Sequence, residues 1–198
     1  MGKSLKVDIK QLKQFRDRLQ QLSEEQVQIF ITSCAKELAA RLLAKVIKRT
    51  PVGDYSGDEY ITKSGYKRHR NYKTVSFQTK GGKTVSFKAD VSGKKGGTLR
   101  RGWTAKTEAE AESGTGKGKD AVEYANSLPI RKVGSDYIIE VINPVHYASY
   151  VEFGHRTANH KGWVEGKFML TISEQELEAD APRILENKLQ KFLSQCFK

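Results

Sequence analysis

Histidines and a carboxylate that lie close together in the chain are the first residues that could do chemistry. His146, His155 and His160 are near one another, but a zinc site needs three or four ligands in tetrahedral geometry. No cysteine or suitably spaced carboxylate completes the set, so we predict no metal site. Glu152 and His155 are three residues apart and could share one helical turn. General acid–base catalysis also needs a pocket and a second catalytic group, and the sequence indicates neither.

Signatures of other catalytic chemistry are missing from the sequence. No serine lies in a Gly-x-Ser-x-Gly turn, which would expose a nucleophile above a sheet. The glycines and lysines of residues 93–97 resemble a phosphate-binding loop in composition, but they lack the Gly-Lys-Ser/Thr ending that such loops need. We therefore predict that the protein is not an enzyme and carries no cofactor.

One segment carries the whole charge imbalance of the chain. The 198 residues have a net charge of +12, and residues 62–106 contain 13 of the 35 Lys and Arg residues with one acidic residue, Asp90. A block of like charge repels itself unless it is solvated or meets a polyanion or an acidic surface.

The basic segment is the candidate for direct contact with a partner, because Tyr66 and Tyr72 alternate with its cations. Phosphate neutralisation combined with ring stacking is typical of nucleic-acid surfaces. A solvated hairpin whose lysines prevent edge-to-edge aggregation is the alternative, and an acidic protein surface is a third. All three stay open. The predicted contact residues are Lys67, Arg68, Arg70, Lys80, Lys83, Lys94, Lys95, Arg100 and Arg101.

Helices at both ends must position these residues. Apolar residues recur every three or four positions over residues 7–22, which predicts an amphipathic helix. Ser23 and Gln26 form a capping box that opens a second helix, which runs to Arg49 and stops before Pro51. A second capping box at residues 173–176 predicts the start of the C-terminal helix.

Two hairpins are predicted between the helices. The pentapeptide Lys-Thr-Val-Ser-Phe occurs twice, ten positions apart, with Gly81 and Gly82 between the copies. This pattern predicts a hairpin with Val75, Phe77, Val85 and Phe87 on one face. Residues 127–143 predict a second hairpin that turns at Gly134 and Ser135, and residues 104–120 predict a flexible loop. Residues 145–153 predict a short helix that ends at Gly154 in the left-handed conformation. The predicted fold is α+β, with long N-terminal and C-terminal helices packed on a small, mostly antiparallel sheet.

Three motifs resemble a known family when they are taken in order. They are Thr-Pro-Val-Gly-Asp at residues 50–54, Gly-Thr-Leu-Arg at residues 97–100, and Tyr-Ala-Ser-Tyr-Val-Glu-Phe-Gly at residues 147–154. The chain from about residue 22 to its C-terminus resembles the tail-component, or tail-completion, proteins of tailed phages, prophages and phage-tail-like particles. In that family the first motif runs into the Gly-x-Leu-Arg strand. Here residues 55–96 intervene, so the resemblance implies one family domain, residues 1–198, with an inserted basic hairpin over residues 55–96.

The resemblance implies a structural role in the virion or tail-like particle, in the neck, with assembly in the host cytoplasm. The expected partners are further copies of the chain in a ring, a hexamer by resemblance, and neighbouring neck, tail-terminator or tail-tube proteins. DNA in the lumen of the ring is a further expected contact.

Subunit contacts are expected from the polar edge of the third motif. The predicted interface residues are Tyr147, Glu152, His155 and Arg156, while Tyr150 and Phe153 are expected to pack in the core. A free-standing nucleic-acid-binding protein is the rival hypothesis, and a nuclease or toxin is a weaker third. No apolar stretch is long enough to cross a membrane, and the N-terminus lacks the apolar centre of a signal peptide.

Overall fold

A computed structural model describes Asp17 and residues 23–78, 81–94, 96–114, 120–157 and 160–196. The helix predicted over residues 7–22 lies, apart from Asp17, outside the described residues. Lys80 and Lys95 of the predicted contact set lie outside them too.

Helices and strands confirm the α+β prediction. The helices of the described residues are α1 (Glu24–Arg49), α2 (Thr98–Gly102), α3 (Glu108–Ser113), α4 (Ala121–Ser127), α5 (Ala148–Phe153) and α6 (Met169–Cys196). The strands are β1 (Glu59–Ile61), β2 (Lys67–His69), β3 (Tyr72–Gln78), β4 (Thr84–Asp90), β5 (Ile130–Val133), β6 (Asp136–Ile139), β7 (Gly154–Arg156) and β8 (Trp163–Glu165).

The strands form separate pairs where one small sheet was predicted. Among the described residues each strand pairs antiparallel with its neighbour in the chain, which gives four two-stranded sheets, β1–β2, β3–β4, β5–β6 and β7–β8. Both predicted hairpins are present, as β3–β4 and β5–β6. Gly134 supplies the positive φ angle, 62°, that the two-residue turn between β5 and β6 needs, and Gly82 has a φ of 76° in the connection between β3 and β4.

The chain divides into two compact units. The first contains residues 1–49, 119–142 and 149–198, and the second contains residues 50–118 and 143–148. No helix among the described residues combines the length and the apolar character that a membrane span requires.

Helix packing builds the first unit, in which α1 packs on α4, β6 and α6. Leu43, Val46 and Met169 are fully buried there, and the Phe30 and Phe192 rings stack with centroids 4.6 Å apart. The predicted capping box is confirmed, because Gln26 N donates to Ser23 Oγ and Ser23 N donates to Gln26 Oε1.

Thr50 is the centre of the second unit and is fully buried. The buried Trp103 donates its indole N–H to Thr50 Oγ1 at 2.7 Å, and Arg100 donates through Nη2 to the Thr50 carbonyl at 2.7 Å. The two motifs at residues 50–54 and 97–103 therefore meet. The expectation that residues 97–100 form a strand is wrong: Gly97, with φ 93°, leads into α2.

The segment predicted as a flexible loop over residues 104–120 contains a helix. Thr107 Oγ1 accepts from Glu110 N at the start of α3, and the Glu110 carboxylate accepts from Lys106 N. Thr-x-x-Glu is the sequence signature of a helix start, so this helix had a local signal. The low content of large apolar residues concealed it, because one small residue, Ala111, provides its buried contact.

Glu37 of α1 binds Lys188 of α6 and Arg41 of its own helix, so the Lys188 contact links the two helices. Lys188 Nζ donates to Glu37 Oε2 at 2.7 Å, and Arg41 Nη2 donates to Oε1 at 2.8 Å. These hydrogen bonds, the one from Lys188 first, hold the pKa of Glu37 below its ordinary value of 4.5.

This ion pair predicts a pH-dependent stability. A carboxyl group with a lowered pKa in the folded state stabilises the fold above its unfolded pKa of 4.5, and the contribution disappears as the pH falls through the folded pKa. We expect Glu37→Gln to lower the melting temperature at about pH 7, with a difference from wild type that shrinks below about pH 4.5. Glu174→Gln, at an exposed carboxylate of α6, is the control. A wild-type–variant difference that stays constant from about pH 3 to about pH 7 would contradict this assignment.

Candidate functional site

The third motif forms a helix that ends at a glycine, as predicted. Residues 148–153 are α5, and Gly154 follows with φ 86°. A side chain at Gly154 would collide with the Val164 carbonyl, since a Cβ would lie 2.4 Å from that oxygen. Glycine therefore allows the β7–β8 hairpin to begin directly at the end of the helix.

Glu152 points into the first unit and caps the C-terminal helix. It is 5% exposed, and Oε2 accepts from Leu170 N at 2.9 Å. Oε1 accepts from Thr171 N at 2.9 Å and from Thr171 Oγ1 at 2.8 Å. A helix leaves its first N–H groups without partners in its own backbone, and a carboxylate there also meets the positive end of the helix dipole. Glu152 thus serves α6 in place of a local N-cap residue.

This contact explains why the predicted start of the C-terminal helix is wrong. The helix begins at Met169, four residues before the Ser173 capping box that the sequence suggested. Ser173 is buried inside α6, and its hydroxyl donates to the Met169 carbonyl at 2.6 Å. The cap comes from Glu152, which is distant in sequence, so no local pattern around Met169 could have revealed it.

Glu152 faces inward, whereas Tyr150 and Phe153 of the motif face outward. Tyr150 is 57% exposed and Phe153 is 62% exposed, which contradicts the expectation that they pack in the core. The Tyr150 ring lies 5.9 Å from the His155 ring, and His155 is directly opposite Val164 in the β7–β8 pair. Trp163, 60% exposed, lies opposite Arg156. Side chains alternate between faces along a strand, so Trp163 lies on the opposite face of this hairpin from His155 and Val164. We call five exposed residues of this helix and hairpin, on both faces, the aromatic surface: Tyr150, Phe153, His155, Trp163 and Val164.

The predicted interface residues are therefore separated by the structure. His155 and Arg156 are exposed on β7, whereas the Glu152 carboxylate is occupied within the chain. Tyr147 belongs to the second unit, where burial raises the pKa of its hydroxyl and its ring meets His146 edge to face at 5.1 Å. His155 and Arg156 remain candidates for a contact with another subunit.

The second unit contains the predicted insertion, residues 55–96, whose ends lie side by side. A Cβ on Gly96 would lie 2.2 Å from the Gly53 carbonyl oxygen, so the two backbones touch. Residues 55–96 therefore begin and end at neighbouring points. This geometry is compatible with an insertion, because joining such ends needs little chain.

Asp58 connects the two hairpins of the predicted insertion by hydrogen bonds. Its main-chain N–H donates to the Tyr72 carbonyl and its carbonyl accepts from Arg70 N. Its carboxylate accepts from Thr74 N at 2.9 Å and Thr74 Oγ1 at 2.5 Å, which lowers the pKa of Asp58. The β1–β2 and β3–β4 hairpins are thus hydrogen-bonded to one another.

Several predicted contact cations lie on the surface of the second unit. The Arg70 guanidinium lies 4.8 Å from the centre of the Tyr60 ring and 5.6 Å from the centre of the Tyr72 ring. The Lys88 ammonium group lies 4.5 Å from the centre of the same Tyr72 ring. Such cation–π contacts hold charges in place while leaving them at the surface. The exposed members of the predicted set are Lys67, Arg68, Arg70, Lys83 and Lys94.

Arg100 and Arg101 face the interior of the second unit, against the prediction that they contact a partner. Arg101 is buried, and it donates to the Ala111 carbonyl at 2.8 Å and the Gly96 carbonyl at 3.1 Å. Arg100 is half-buried on the Thr50 carbonyl. The burial of a guanidinium requires hydrogen bonds for most of its donors, and backbone carbonyls supply them here.

A His–carboxylate pair is the arrangement that comes nearest to catalytic geometry. His146 Nδ1 lies 2.5 Å from Glu108 Oε1, and His146 lowers the pKa of the Glu108 carboxyl group. The His146 side chain is largely exposed, whereas general acid–base chemistry works in a pocket. Within the described residues, no three His, Cys, Asp or Glu side chains converge as a metal site would require.

The Glu152 cap generates a prediction about stability. We expect Glu152→Gln to lower the free energy of unfolding by about 1–3 kcal/mol, because an amide loses the charge and turns an NH2 group toward backbone donors. Denaturant unfolding measures the loss. Glu165→Gln, at an exposed carboxylate of β8, should cost less than about 0.5 kcal/mol. Equal stability of Glu152→Gln and wild type would show that the cap contributes nothing.

Comparison with known proteins places the three motifs in one family. A family model described as "Bacteriophage HK97-gp10, putative tail-component" matches residues 13–154, which include the motifs at residues 50–54, 97–100 and 147–154. No significant match was found among curated proteins or among solved structures. The match extends over more than half of the 198 residues and confirms the resemblance that the motifs indicated. The chain therefore belongs to the bacteriophage HK97-gp10 tail-component family, and it is a structural protein of the phage tail.

Proposed function

We propose that the protein is a non-enzymatic subunit of the tail-completion type, which forms a ring at the head-proximal end of the tail. The ring would join this end to neighbouring neck, tail-terminator or tail-tube proteins. A tail component works by contact with other tail proteins, so its function depends on the surfaces that it exposes.

The observation that carries this proposal is the exposure of the aromatic surface. Tyr150, Phe153 and Trp163 are each more than half exposed, although aromatic residues of this size usually lie in the core of a monomer. Exposed aromatic residues are enriched at protein–protein interfaces, where Tyr and Trp contribute much of the binding energy. Tyr150 and Phe153 belong to the motif by which the chain resembles its family, so a contact there fits a role that the family shares.

A ring places a specific demand on such a surface. Each subunit in a cyclic assembly contacts its neighbours through two different patches, and the ring closes only when the rotation between subunits is correct. The short α5 helix and the β7–β8 hairpin hold the aromatic surface on a rigid base, because Glu152 fixes α5 to α6. A fixed orientation of this patch would favour one rotation and therefore one ring size.

Assembly and its dependence on the aromatic surface are testable together. We expect native mass spectrometry and negative-stain images of the purified protein to show a closed ring of one size. The double variant Phe153→Ser, Trp163→Ser should weaken assembly at least ~10-fold, which corresponds to about 1.4 kcal/mol, while its melting temperature changes little because both residues are exposed.

Tyr66→Ser is the matched control, since Tyr66 is a similarly exposed aromatic residue of the basic segment. It should leave the ring intact. A wild-type protein that stays monomeric and is absent from particles would overturn the proposal. Rings that survive in the double variant would show that the contact lies elsewhere.

Nucleic-acid binding is a second candidate function, and the position of the charge favours it. Residues 62–106 carry the excess of cations, and Arg68, Arg70 and Lys94 are exposed among them. Duplex DNA in a lumen would be met through its phosphates, with no readout of base sequence. In the ring proposal this contact, or one with an acidic neighbouring protein, is secondary. In the rival hypothesis it is the main function of a free-standing protein.

Salt dependence of DNA binding separates these roles. For a lumen contact we expect weak, sequence-independent binding to a duplex, with a log affinity that falls linearly with log salt concentration. The triple variant Arg68→Gln, Arg70→Gln, Lys94→Gln should reduce that slope by about 2–3, close to one unit for each phosphate that is no longer neutralised. Lys132→Gln, at an exposed lysine of the first unit, is the control. An unchanged slope would exclude these cations as the DNA contact, and tight binding by a monomer at physiological salt would favour the rival.

A further inference from the structure

The repeated pentapeptide builds a symmetrical face on the β3–β4 hairpin. Ser76 pairs with Ser86, and their hydroxyl oxygens lie 2.7 Å apart. Because the two copies of the repeat are ten residues apart, this register relates them by a local two-fold axis between the two serines. Val75 consequently lies opposite Phe87, and Phe77 lies opposite Val85.

The two faces of this hairpin have different chemistry. Side chains alternate between faces along a strand, so Val75, Phe77, Val85 and Phe87 share one face while Thr74, Ser76, Ser86 and Lys88 share the other. We call the first set the hairpin face. The Phe77 and Phe87 rings meet edge to face with centroids 6.5 Å apart.

The hairpin face is apolar and exposed, which a solvated hairpin does not need. Phe77 is 51% exposed, Phe87 is 52% exposed and Val75 is 37% exposed. A contiguous apolar patch on a soluble protein marks an interaction site more often than isolated apolar residues do. Polar side chains occupy the opposite face of the hairpin, so the exposed phenylalanines on the hairpin face indicate a partner.

We propose that the hairpin face binds an apolar surface bordered by carboxylates on another protein of the phage tail. This inference rests on the proposed structural function and names the partner of the basic segment. Lys73, at the margin of the hairpin face, is held within the chain by an ion pair with Asp54. The charge that a partner would meet is the excess of the surrounding segment, since residues 62–106 contain 13 Lys and Arg residues and one acidic residue. A partner with acidic residues at the edge of an apolar centre complements both the apolar face and this positive charge.

A second copy of the chain fits the hairpin face poorly. Two copies would bring together segments that each carry the excess positive charge of residues 62–106, and like charges in contact are unfavourable. The exposed part of four side chains provides on the order of 250 Å², whereas a stable dimer buries about 800 Å² on each partner. A contact of this size adds to an assembly that other surfaces hold in place.

Duplex DNA also fits poorly, because its bases are stacked and its outside is a row of phosphates. An apolar quartet offers no hydrogen-bond donor to a phosphate. Cations that suit phosphates lie elsewhere in the segment, with Lys88 on the opposite face of the same hairpin. The hairpin face and the exposed cations can therefore serve different partners.

Photo-crosslinking in the assembled particle tests the proposal directly. Full-length protein with p-benzoylphenylalanine in place of Phe77 would be produced in the host that assembles the particles, irradiated and analysed by mass spectrometry. We expect adducts with one other tail protein, on a peptide that combines apolar and acidic residues. The same probe in place of Tyr66, exposed outside the hairpin face, is the control. Adducts with a second copy or with DNA, or no adduct above the Tyr66 control, would overturn the proposal.

Substitutions on the hairpin face provide an independent test. Phe77→Ser with Phe87→Ser should reduce the amount of protein in purified particles at least ~10-fold, while Phe77→Leu with Phe87→Leu should keep most of it because the face stays apolar. Native mass spectrometry of the same variants should give the wild-type ring. Serine variants that enter particles normally would refute the hairpin contact and leave the ring proposal standing, whereas a monomeric wild type would refute the ring itself.

Discussion

The buried carboxylate of Glu152 is the contact on which the rest of the first unit depends. It satisfies the N–H groups of Leu170 and Thr171 at the start of a 28-residue helix, and it belongs to a six-residue helix that is too short to be stable alone. The direction of the Glu152 side chain also fixes which side of α5 is exposed. With Glu152 inside, Tyr150 and Phe153 are outside. One hydrogen-bonded cluster therefore fixes the long helix and presents the aromatic surface.

Local patterns in the sequence predicted those parts of the fold that depend on local physics. The Ser23–Gln26 capping box, the turn glycines Gly82 and Gly134, and the register of the Val and Phe residues in β3 and β4 follow from neighbours along the chain. The start of α6 does not, because its cap comes from Glu152. The inward orientation of the Arg101 side chain was not predicted either, because it depends on hydrogen bonds from the guanidinium to the carbonyls of Gly96 and Ala111. Sequence alone assigns such an arginine to a basic surface.

In the candidate site, too, the features set by local sequence were predicted and those set by distant contacts were not. The motif at residues 147–154 was recognisable, and its helix and Gly154 turn were predicted correctly. The side that it exposes was predicted the wrong way round, because hydrophobicity places Phe153 inside and charge places Glu152 outside. Glu152 reverses that rule, since backbone donors compensate the cost of its burial. In the second unit, the hydrogen bonds of Thr50 join two motifs that are separated by residues 55–96, and the Gly53–Gly96 contact brings the ends of this predicted insertion together.

The two units expose chemically different surfaces, which suits a tail component that contacts other proteins. The aromatic surface lies on the first unit, and a hydrogen-bonded basic segment with one apolar face lies on the second. If the aromatic surface is the contact between subunits, Phe153 and Trp163 must become protected when the protein assembles. Hydroxyl-radical footprinting of the assembled and the dissociated protein measures this protection. We expect both residues to lose reactivity on assembly while Tyr66 does not; equal reactivity of Phe153 and Trp163 in the two states would contradict the proposed subunit contact.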